Sequence, residues 1–307
     1  MRRFPALVVA ASMLAALTAC AGADADGCDS GVSGGTASAT IDAPGELGTA
    51  PEVTFPTPAI SNSVERTEII RGDGDLLELG QPVILEATIL NGTDAAVLQQ
   101  TTYAPEGGSL FTIGDAGLPA LGSGLECASV GSRVAVVASA KESAAEGAPP
   151  TEDSIVYVVD ILRAFPSRAD GVVQLAEAGM PSVVTAPDGT PGITLPGGDA
   201  PTKFRDSVLR LGDGDEIAEG DQVVAKLTAV DWDEETVVQS TWTTGGAAIV
   251  ELDSAAVGEG LTRALEGKTV GSQVLAIVPP ELAAVPQGGA PSESTLVYVV
   301  DILGTVN

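Results

Sequence analysis

The chain has 307 residues, a length that favours about two domains. Its 42 acidic residues against 14 lysines and arginines disfavour binding to nucleic acid or to an anionic membrane, since both need clustered positive charge. The absence of histidine excludes histidine acid–base catalysis and removes the commonest zinc ligand, and neither a metal nor a cofactor is expected.

Residues 1–20 have the pattern of an export signal. Arg2 and Arg3 precede an apolar run from Phe4 to Leu17, which is shorter than the roughly 20 residues that cross a bilayer. The ending Leu17-Thr18-Ala19-Cys20 resembles the lipobox of bacterial lipoproteins, and this resemblance implies that Cys20 becomes a lipidated N-terminus. The alternative is an ordinary signal peptide with an incidental cysteine.

Residues 21–50 are mostly Gly, Ser, Ala, Thr and Asp, a composition that predicts a disordered tether. Cys28 does not suit a free tether, because an exposed thiol is a liability in an exported protein. With Cys20 lipidated, Cys127 is its one possible partner, and we expect a Cys28–Cys127 disulfide; two free thiols are the alternative. Closing a loop of this size stabilises a fold by about 4–5 kcal/mol in the chain-entropy account.

One heptapeptide occurs twice in the chain, as Val156–Leu162 and as Val297–Leu303. The turn Gly72-Asp-Gly-Asp75 likewise recurs as Gly212-Asp-Gly-Asp215, 140 positions later. A period of this length indicates a duplicated domain rather than a solenoid repeat of about 20–50 residues. We therefore assign repeat one to residues 51–165, a linker to 166–179 and repeat two to 180–307.

Repeat one has the alternating apolar pattern of β-strands, with turns between them. The pattern predicts a strand over 83–90, a hairpin at Asn91-Gly92, a returning strand over 97–102, and last strands over 133–138 and 154–162. Leu118, Leu121 and Leu125 are spaced as on one face of a short helix.

Repeat two follows the same plan, with strands over 222–230, 236–242, 249–252, 273–278 and 295–303 and a helix over 260–265. Both faces of its last strand are apolar, which indicates a central position in the sheet. The two tryptophans, Trp232 and Trp242, belong either to a pocket rim or to packing at a sheet edge.

The order of these motifs resembles the FKBP family of peptidyl-prolyl isomerases. The similarity extends from Gly212-Asp-Gly-Asp215 through Gly260-Leu261, Val270-Gly271-Ser272 and Val278-Pro-Pro-Glu-Leu-Ala283 to Thr295–Asp301, about 90 residues of repeat two and, more weakly, the same span of repeat one. It implies an α+β fold in which two tandem FKBP-like domains each curl an antiparallel sheet around one short α-helix.

The resemblance also implies an apolar pocket that favours the twisted state of an X–Pro bond without a nucleophile or a metal. Its matching positions in repeat two are Leu227, Gln239, Val257, Leu261 and Tyr298. In repeat one they are Gln99, Leu118, Leu121 and Tyr157. Only Val257 and the two tyrosines keep the kind of side chain that the family has there, so the activity expected is weak.

Two functions follow as hypotheses. The first is an isomerase that acts on proline-containing segments of unfolded exported proteins, with repeat two as the more active copy. The alternative is a non-catalytic peptide- or protein-binding module on the same scaffold. The expected location is the outer face of the cytoplasmic membrane, reached through the lipid on Cys20 alone.

Overall fold

The computed structural model describes residues 28–104, 107–145, 147, 149–175, 177–283 and 293–306. Each repeat forms an antiparallel sheet that packs against a short helix, and a two-stranded hairpin forms a third sheet. This confirms the predicted α+β fold. The signal peptide, Cys20 and residues 21–27 lie outside the described residues.

Repeat one contains a six-stranded sheet and one α-helix. A 3-10 helix, Ser38–Thr40, precedes them. The elements are β1 (Glu65–Ile70), β2 (Pro82–Asn91), β3 (Val97–Gln100), β4 (Ser109–Thr112), α1 (Pro119–Leu125), β5 (Arg133–Ala138) and β6 (Ile155–Ala164). The strand order is β1-β5-β6-β2-β3, and β4 pairs with the other end of β2.

Repeat two contains a seven-stranded sheet of matching order, β12-β11-β15-β14-β10-β7, with β13 beside β11. The elements are β7 (Val172–Val173), β8 (Ser182–Thr185), β9 (Pro191–Thr194), β10 (Arg205–Leu211), β11 (Gln222–Asp231), β12 (Val237–Ser240), β13 (Ala248–Glu251), α2 (Ser254–Val257), α3 (Glu259–Leu265), β14 (Gln273–Val278) and β15 (Leu296–Thr305). A 3-10 helix, Pro280–Leu282, follows β14. The hairpin of β8 and β9 and the helical turn α2 go beyond the elements that the sequence predicts.

The duplicated heptapeptide lies in β6 and in β15, each flanked by a strand on both sides. In β6, Tyr157, Val159 and Ile161 face the core that contains α1, whereas Val156 and Val158 face a second apolar cluster on the opposite, outer face. The prediction of a central strand that is buried on both faces is therefore confirmed. Its physical basis is a second covering layer on the outer face of each sheet.

In repeat one, the outer layer is built from residues that the sequence analysis assigns to a disordered tether. Ala37, Ile41 and Ala43 are buried there against Val156 and Val158. The tether prediction is wrong from Cys28 onward, because small apolar side chains are sufficient when the surface they cover is already apolar. Cys28 and Cys127 form a disulfide with their Cα atoms 5.7 Å apart, and this is the pair expected from the sequence.

A buried ion pair fastens this layer to the sheet. Arg133, on β5, donates from Nε to Asp160 Oδ1 (2.6 Å) and from Nη2 to Asp160 Oδ2 (2.7 Å), and both side chains are fully buried. These hydrogen bonds raise the pKa of the Arg133 guanidinium. The remaining donors of Arg133 reach the carbonyl oxygens of Ala43 and Thr49 at 3.0 Å, and the Gly48 N–H donates to Asp160 Oδ2 (2.7 Å).

Repeat two has the equivalent arrangement in the segment that the sequence analysis calls a linker. The Ala169 N–H donates to Asp301 Oδ2 (2.9 Å), and Gln273, in place of Arg133, donates to Asp301 Oδ1 (2.7 Å). Burial raises the pKa of Asp301, and these two hydrogen bonds oppose the shift. Val172 and Val173 then join the sheet as β7, so the linker is a part of repeat two.

The two repeats contact each other through their outer faces. The shared apolar cluster holds three pairs of equivalent residues: Ile84 with Val224, Leu162 with Leu303, and Phe165 with Val306. Three hydrogen bonds cross the same contact: Lys226 Nζ to the Gly80 carbonyl oxygen (2.8 Å), Arg163 Nη1 to the Thr305 carbonyl oxygen (2.7 Å) and the Ala247 N–H to Thr112 Oγ1 (3.1 Å). The contact thus includes equivalent apolar residues of both repeats.

Within the described part of the chain, the helices are too short or too polar for any of them to cross a lipid bilayer.

We predict that Arg133→Leu destabilises repeat one by about 3–5 kcal/mol, because it leaves the Asp160 carboxylate buried without its counter-charge. The measurement is hydrogen exchange under native conditions, and residues 37–59 should lose protection first.

The matched control is Gln273→Leu in repeat two. It removes one neutral donor and leaves the Ala169 N–H on Asp301, so the cost should be smaller, about 1–3 kcal/mol. Unchanged protection over 37–59 in Arg133→Leu would contradict the role of the ion pair.

Candidate functional site

The candidate site of repeat two lies on the inner face of its sheet, between α3 and β15. Leu227 and Leu261 are buried in the inner core, and Val257 and Tyr298 pack against it while partly exposed. The structure thus brings four of the five predicted residues into one apolar cluster. Burial raises the pKa of the Tyr298 phenol, so it remains a neutral hydroxyl at physiological pH.

Gln239, the fifth residue, is exposed on the edge strand β12. Its partner in the sheet register is Ala229 of β11, and Ala229 in turn pairs with Tyr298 of β15. Residues directly opposite each other across a sheet point to the same face. Gln239 and Tyr298 therefore lie in one row on the same face of the sheet, with Gln239 at its exposed edge.

This row of residues continues to Ala276 of β14, which pairs with Tyr298 on its other side. Both neighbours of the Tyr298 ring are thus alanines, Ala229 and Ala276. Tyr298 is partly exposed between these two small, buried side chains, and we name this apolar surface the hollow. Neither alanine can be recognised from the sequence alone, since an alanine in a strand gives no signal of a site until the register is known.

Repeat one has the same row with larger side chains. Tyr157 pairs with Ile89 on one side and with Val136 on the other, and Gln99 is exposed at the edge opposite Ile89. Tyr157 is only 3% exposed, and burial raises its pKa as well. The predicted residues Leu118 and Leu121 pack in the same core, and Tyr157 is buried where its equivalent Tyr298 is partly exposed.

The helix that closes the hollow begins differently in the two repeats. In repeat two, Asp253 caps α2 by accepting a hydrogen bond from the Ala255 N–H (2.9 Å). Gly258, with φ of +84°, then separates α2 from α3. This left-handed backbone, which glycine adopts without strain, turns the chain between Val257 and Leu261. In repeat one, α1 begins at Pro119 and is the corresponding helix.

Neither tryptophan lies at the hollow. Trp232 is buried in the outer cluster of repeat two, where its Nε1 donates to the Gly198 carbonyl oxygen (3.2 Å). The ring of Trp242 lies 4.6 Å from Lys226 Nζ, a side chain that points out of the opposite face of β11 from Leu227. Both tryptophans therefore have a packing role and do not form the rim of a pocket.

The repeated Gly-Asp-Gly-Asp turns are explained by backbone packing. A Cβ atom on Gly72 would lie 2.2 Å from the Val130 carbonyl oxygen, and one on Gly212 would lie 2.1 Å from the Val270 carbonyl oxygen. Only glycine fits at either position. Among the residues that the structure describes, no cluster of acidic or cysteine side chains is arranged to hold a metal ion.

Comparison with known protein families finds a match within repeat two. Residues 214–303 match the family of FKBP-type peptidyl-prolyl cis-trans isomerases. The second repeat is an FKBP-type domain. The match spans β11 to β15, and so includes Leu227, Gln239, Val257, Leu261 and Tyr298, the five candidate residues.

Solved structures with FKBP domains are also similar to the chain. A wheat FKBP73 structure with three FKBP domains is 21% identical, with 79% of this chain and 94% of that chain aligned and a TM-score of 0.32. FkpA from Escherichia coli is 26% identical, with 42% and 53% aligned and a TM-score of 0.31. A peptidyl-prolyl cis-trans isomerase from Pseudomonas syringae pv. tomato is 19% identical, with 33% and 74% aligned and a TM-score of 0.28. No curated protein sequence matches the chain.

We predict that Ala229→Ile covers part of the ring of Tyr298, because the two residues are opposite each other across the sheet and point to the same face. Since Ala229 is only 1% exposed, the larger side chain should also cost about 1–3 kcal/mol of stability. In photo-CIDNP NMR, which detects tyrosine rings accessible to a dye, wild type should show a signal from Tyr298 and none from Tyr157. The substitution should reduce the Tyr298 signal at least by about half.

Ile89→Val in repeat one is the control and should leave the Tyr298 signal unchanged. An unchanged Tyr298 signal in Ala229→Ile would contradict the expected covering of the ring.

Proposed function

We propose that the protein is a peptidyl-prolyl cis-trans isomerase of low activity and that repeat two is its catalytic copy. The observation that carries this proposal is the partly exposed ring of Tyr298 in the domain that matches the isomerase family, compared with the buried ring of its equivalent Tyr157. A proline ring needs accessible apolar surface, and in repeat one Ile89 and Val136 stand beside the buried tyrosine.

The chemistry requires neither a nucleophile nor a proton transfer. The barrier to X–Pro rotation, about 20 kcal/mol, comes from amide resonance, and a low-polarity surface favours the twisted amide in which that resonance is lost. Tyr298, Leu261, Val257 and Leu227 form the apolar surface. Gln239, at the rim, has a carboxamide that can hydrogen-bond to the substrate backbone, although it carries no charge with which to strengthen that bond.

Substrates of this activity are proline-containing segments of unfolded exported proteins. In this proposal the chain is exported, lipidated on Cys20 and anchored at the outer face of the cytoplasmic membrane. The Cys28–Cys127 disulfide supports export, because disulfides persist in oxidising compartments. The net charge of −28 supports attachment through a lipid rather than through contact with anionic headgroups.

A second function, peptide binding without catalysis, is favoured by the exposed position of Gln239 and by the aliphatic side chains of Leu227 and Leu261. Such a hollow can hold a proline ring while offering few groups whose contacts strengthen in the twisted state. Binding equal in the ground state and the transition state gives affinity without acceleration.

The two functions are separated by an isomerisation assay on the full-length disulfide-bonded chain, with short peptides that contain one Leu-Pro bond. We expect catalysis above the spontaneous rate. Tyr298→Leu should reduce kcat/KM about tenfold, equivalent to about 1.4 kcal/mol of transition-state stabilisation. Leu261→Trp should increase it, because an indole adds apolar surface to the floor.

Tyr157→Leu is the matched control in repeat one and should leave kcat/KM unchanged. An equal loss in both tyrosine variants would place the activity elsewhere. Peptide binding with no turnover above background would reject the isomerase and support the binding module.

A further inference from the structure

A cavity on the outer face of repeat two is lined by two arginines. It has a volume of about 390 Å³ and lies between residues 168–170, the hairpin of β8 and β9, and β10. Its charged residues are Arg168, Asp170 and Arg210. A water molecule in the liquid occupies about 30 Å³, so the cavity has room for a small ligand together with bound water.

Neither arginine has a carboxylate partner, although the chain has 42 acidic residues. Among the described residues, no ion pair includes Arg168 or Arg210. Arg168 donates from Nη1 to the Pro187 carbonyl oxygen (2.6 Å), and Arg210 donates from Nη1 to the Gly171 carbonyl oxygen (3.3 Å). Because a guanidinium has five N–H donors, each arginine retains donors that can bind a ligand.

The equivalent arginine of repeat one has its donors engaged within the protein. In repeat one, Arg133 of β5 is opposite Ile70 of β1, whereas in repeat two the arginine is on the other strand, with Arg210 of β10 opposite Gln273 of β14. All three nitrogen atoms of the Arg133 guanidinium donate hydrogen bonds, and its side chain is fully buried. Arg210 is only partly buried. The arginine of repeat two is therefore the one that is available to a ligand.

Backbone hydrogen bonds hold the cavity in shape. The Ala169 N–H donates to the buried carboxylate of Asp301 (2.9 Å), which fixes the segment that carries Arg168. The hairpin beside it is closed by a hydrogen bond from the Ala186 N–H to the Thr190 carbonyl oxygen (2.9 Å). Groups that are already positioned lose less conformational entropy when a ligand binds.

The balance of charge in the cavity favours an anion. Asp170 is the acidic residue of the lining, and a Cβ atom on Gly271 would lie 3.0 Å from its Oδ1, so this oxygen is close to the Gly271 backbone. Two positive groups therefore face one negative group. The net charge of −28 is spread over the whole chain and is screened beyond about 10 Å in dilute salt, so the lining decides what binds there.

We propose that this cavity binds a small oxyanion, a phosphate or a carboxylate, between the guanidinium groups of Arg168 and Arg210. The planar fork of a guanidinium donates two parallel hydrogen bonds to either group, and these are stronger than hydrogen bonds between neutral groups. Chloride has no pair of oxygen atoms to match the fork. The cavity lies on the opposite face of the sheet from Tyr298, so this inference does not rest on the proposed function.

The test is an NMR titration of the full-length disulfide-bonded chain with inorganic phosphate or with succinate, compared with sodium chloride at the same ionic strength. We expect the backbone amide signals of Ala169, Gly171 and Arg210 to shift to saturation with at least one of the two oxyanions and to remain in place with chloride. The oxyanion with the lower dissociation constant identifies the group that the cavity prefers.

Substitutions in the lining should change the affinity in opposite directions. Arg168→Gln and Arg210→Gln should each weaken binding about tenfold, because each removes charge-assisted hydrogen bonds. Asp170→Asn should strengthen binding about two- to fivefold, because it removes the negative charge from the lining. A gain of this kind cannot result from a loss of folding. Arg71→Gln, at an exposed arginine of repeat one, is the matched control and should leave the affinity unchanged.

Equal shifts with chloride and with both oxyanions, binding that survives both arginine substitutions, or weaker binding in Asp170→Asn would overturn the inference. Since the titration measures binding apart from turnover, an absence of isomerase activity would reject the proposed function and leave this inference standing.

Discussion

The architecture depends on one buried carboxylate in each repeat. Asp160 and Asp301 occupy equivalent positions in the central strands of the two repeats. Each accepts a hydrogen bond from a backbone N–H in the segment that precedes the sheet of the same repeat. Exposing the apolar outer face of a sheet to water is unfavourable. A covering segment with few large side chains buries little apolar area and therefore binds this face weakly by itself. The carboxylate supplies the fixed, directional contact that the small side chains do not.

This constraint explains which positions of the duplicated strand can vary. Alternate residues face the inner core and the outer layer, and the aspartate within the strand holds that layer in place, so a change of side chain at any of these positions disturbs one of the two. The neighbouring strands are less restricted. Arg133 in one copy is Gln273 in the other, and Ile89 is Ala229, so the partner of the carboxylate and the size of the residue beside the tyrosine differ while the heptapeptide remains identical.

Most of the fold follows from patterns that the sequence displays openly. Duplication, period-two alternation and the short leucine-spaced helix locate the central strands and one helix of each repeat, and the cysteine pair follows from elimination. The outer layers cannot be predicted in this way, because the segment that contains Ala37, Ile41 and Ala43 has the composition of a solvated linker. These residues are buried because they contact a surface formed by strands that lie more than about twenty residues away along the chain. The composition of a segment does not reveal such a tertiary contact.

The sequence predicts which residues share the candidate site, but not how exposed each of them is. Tyr157 and Tyr298 occupy the same position of the same heptapeptide, and nothing local separates them. Tyr157 pairs with Ile89 and Val136, whereas Tyr298 pairs with Ala229 and Ala276, and these residues become neighbours of the tyrosine only through the register. The exposure of each tyrosine therefore cannot be predicted from the heptapeptide alone.

The contact between the repeats has a consequence for stability. Ile84, Leu162 and Phe165 of repeat one lie in one apolar cluster with Val224, Leu303 and Val306 of repeat two. Separating the repeats would expose this apolar surface to water, so each repeat is less stable by itself than beside the other. Unfolding of either repeat therefore also weakens its neighbour.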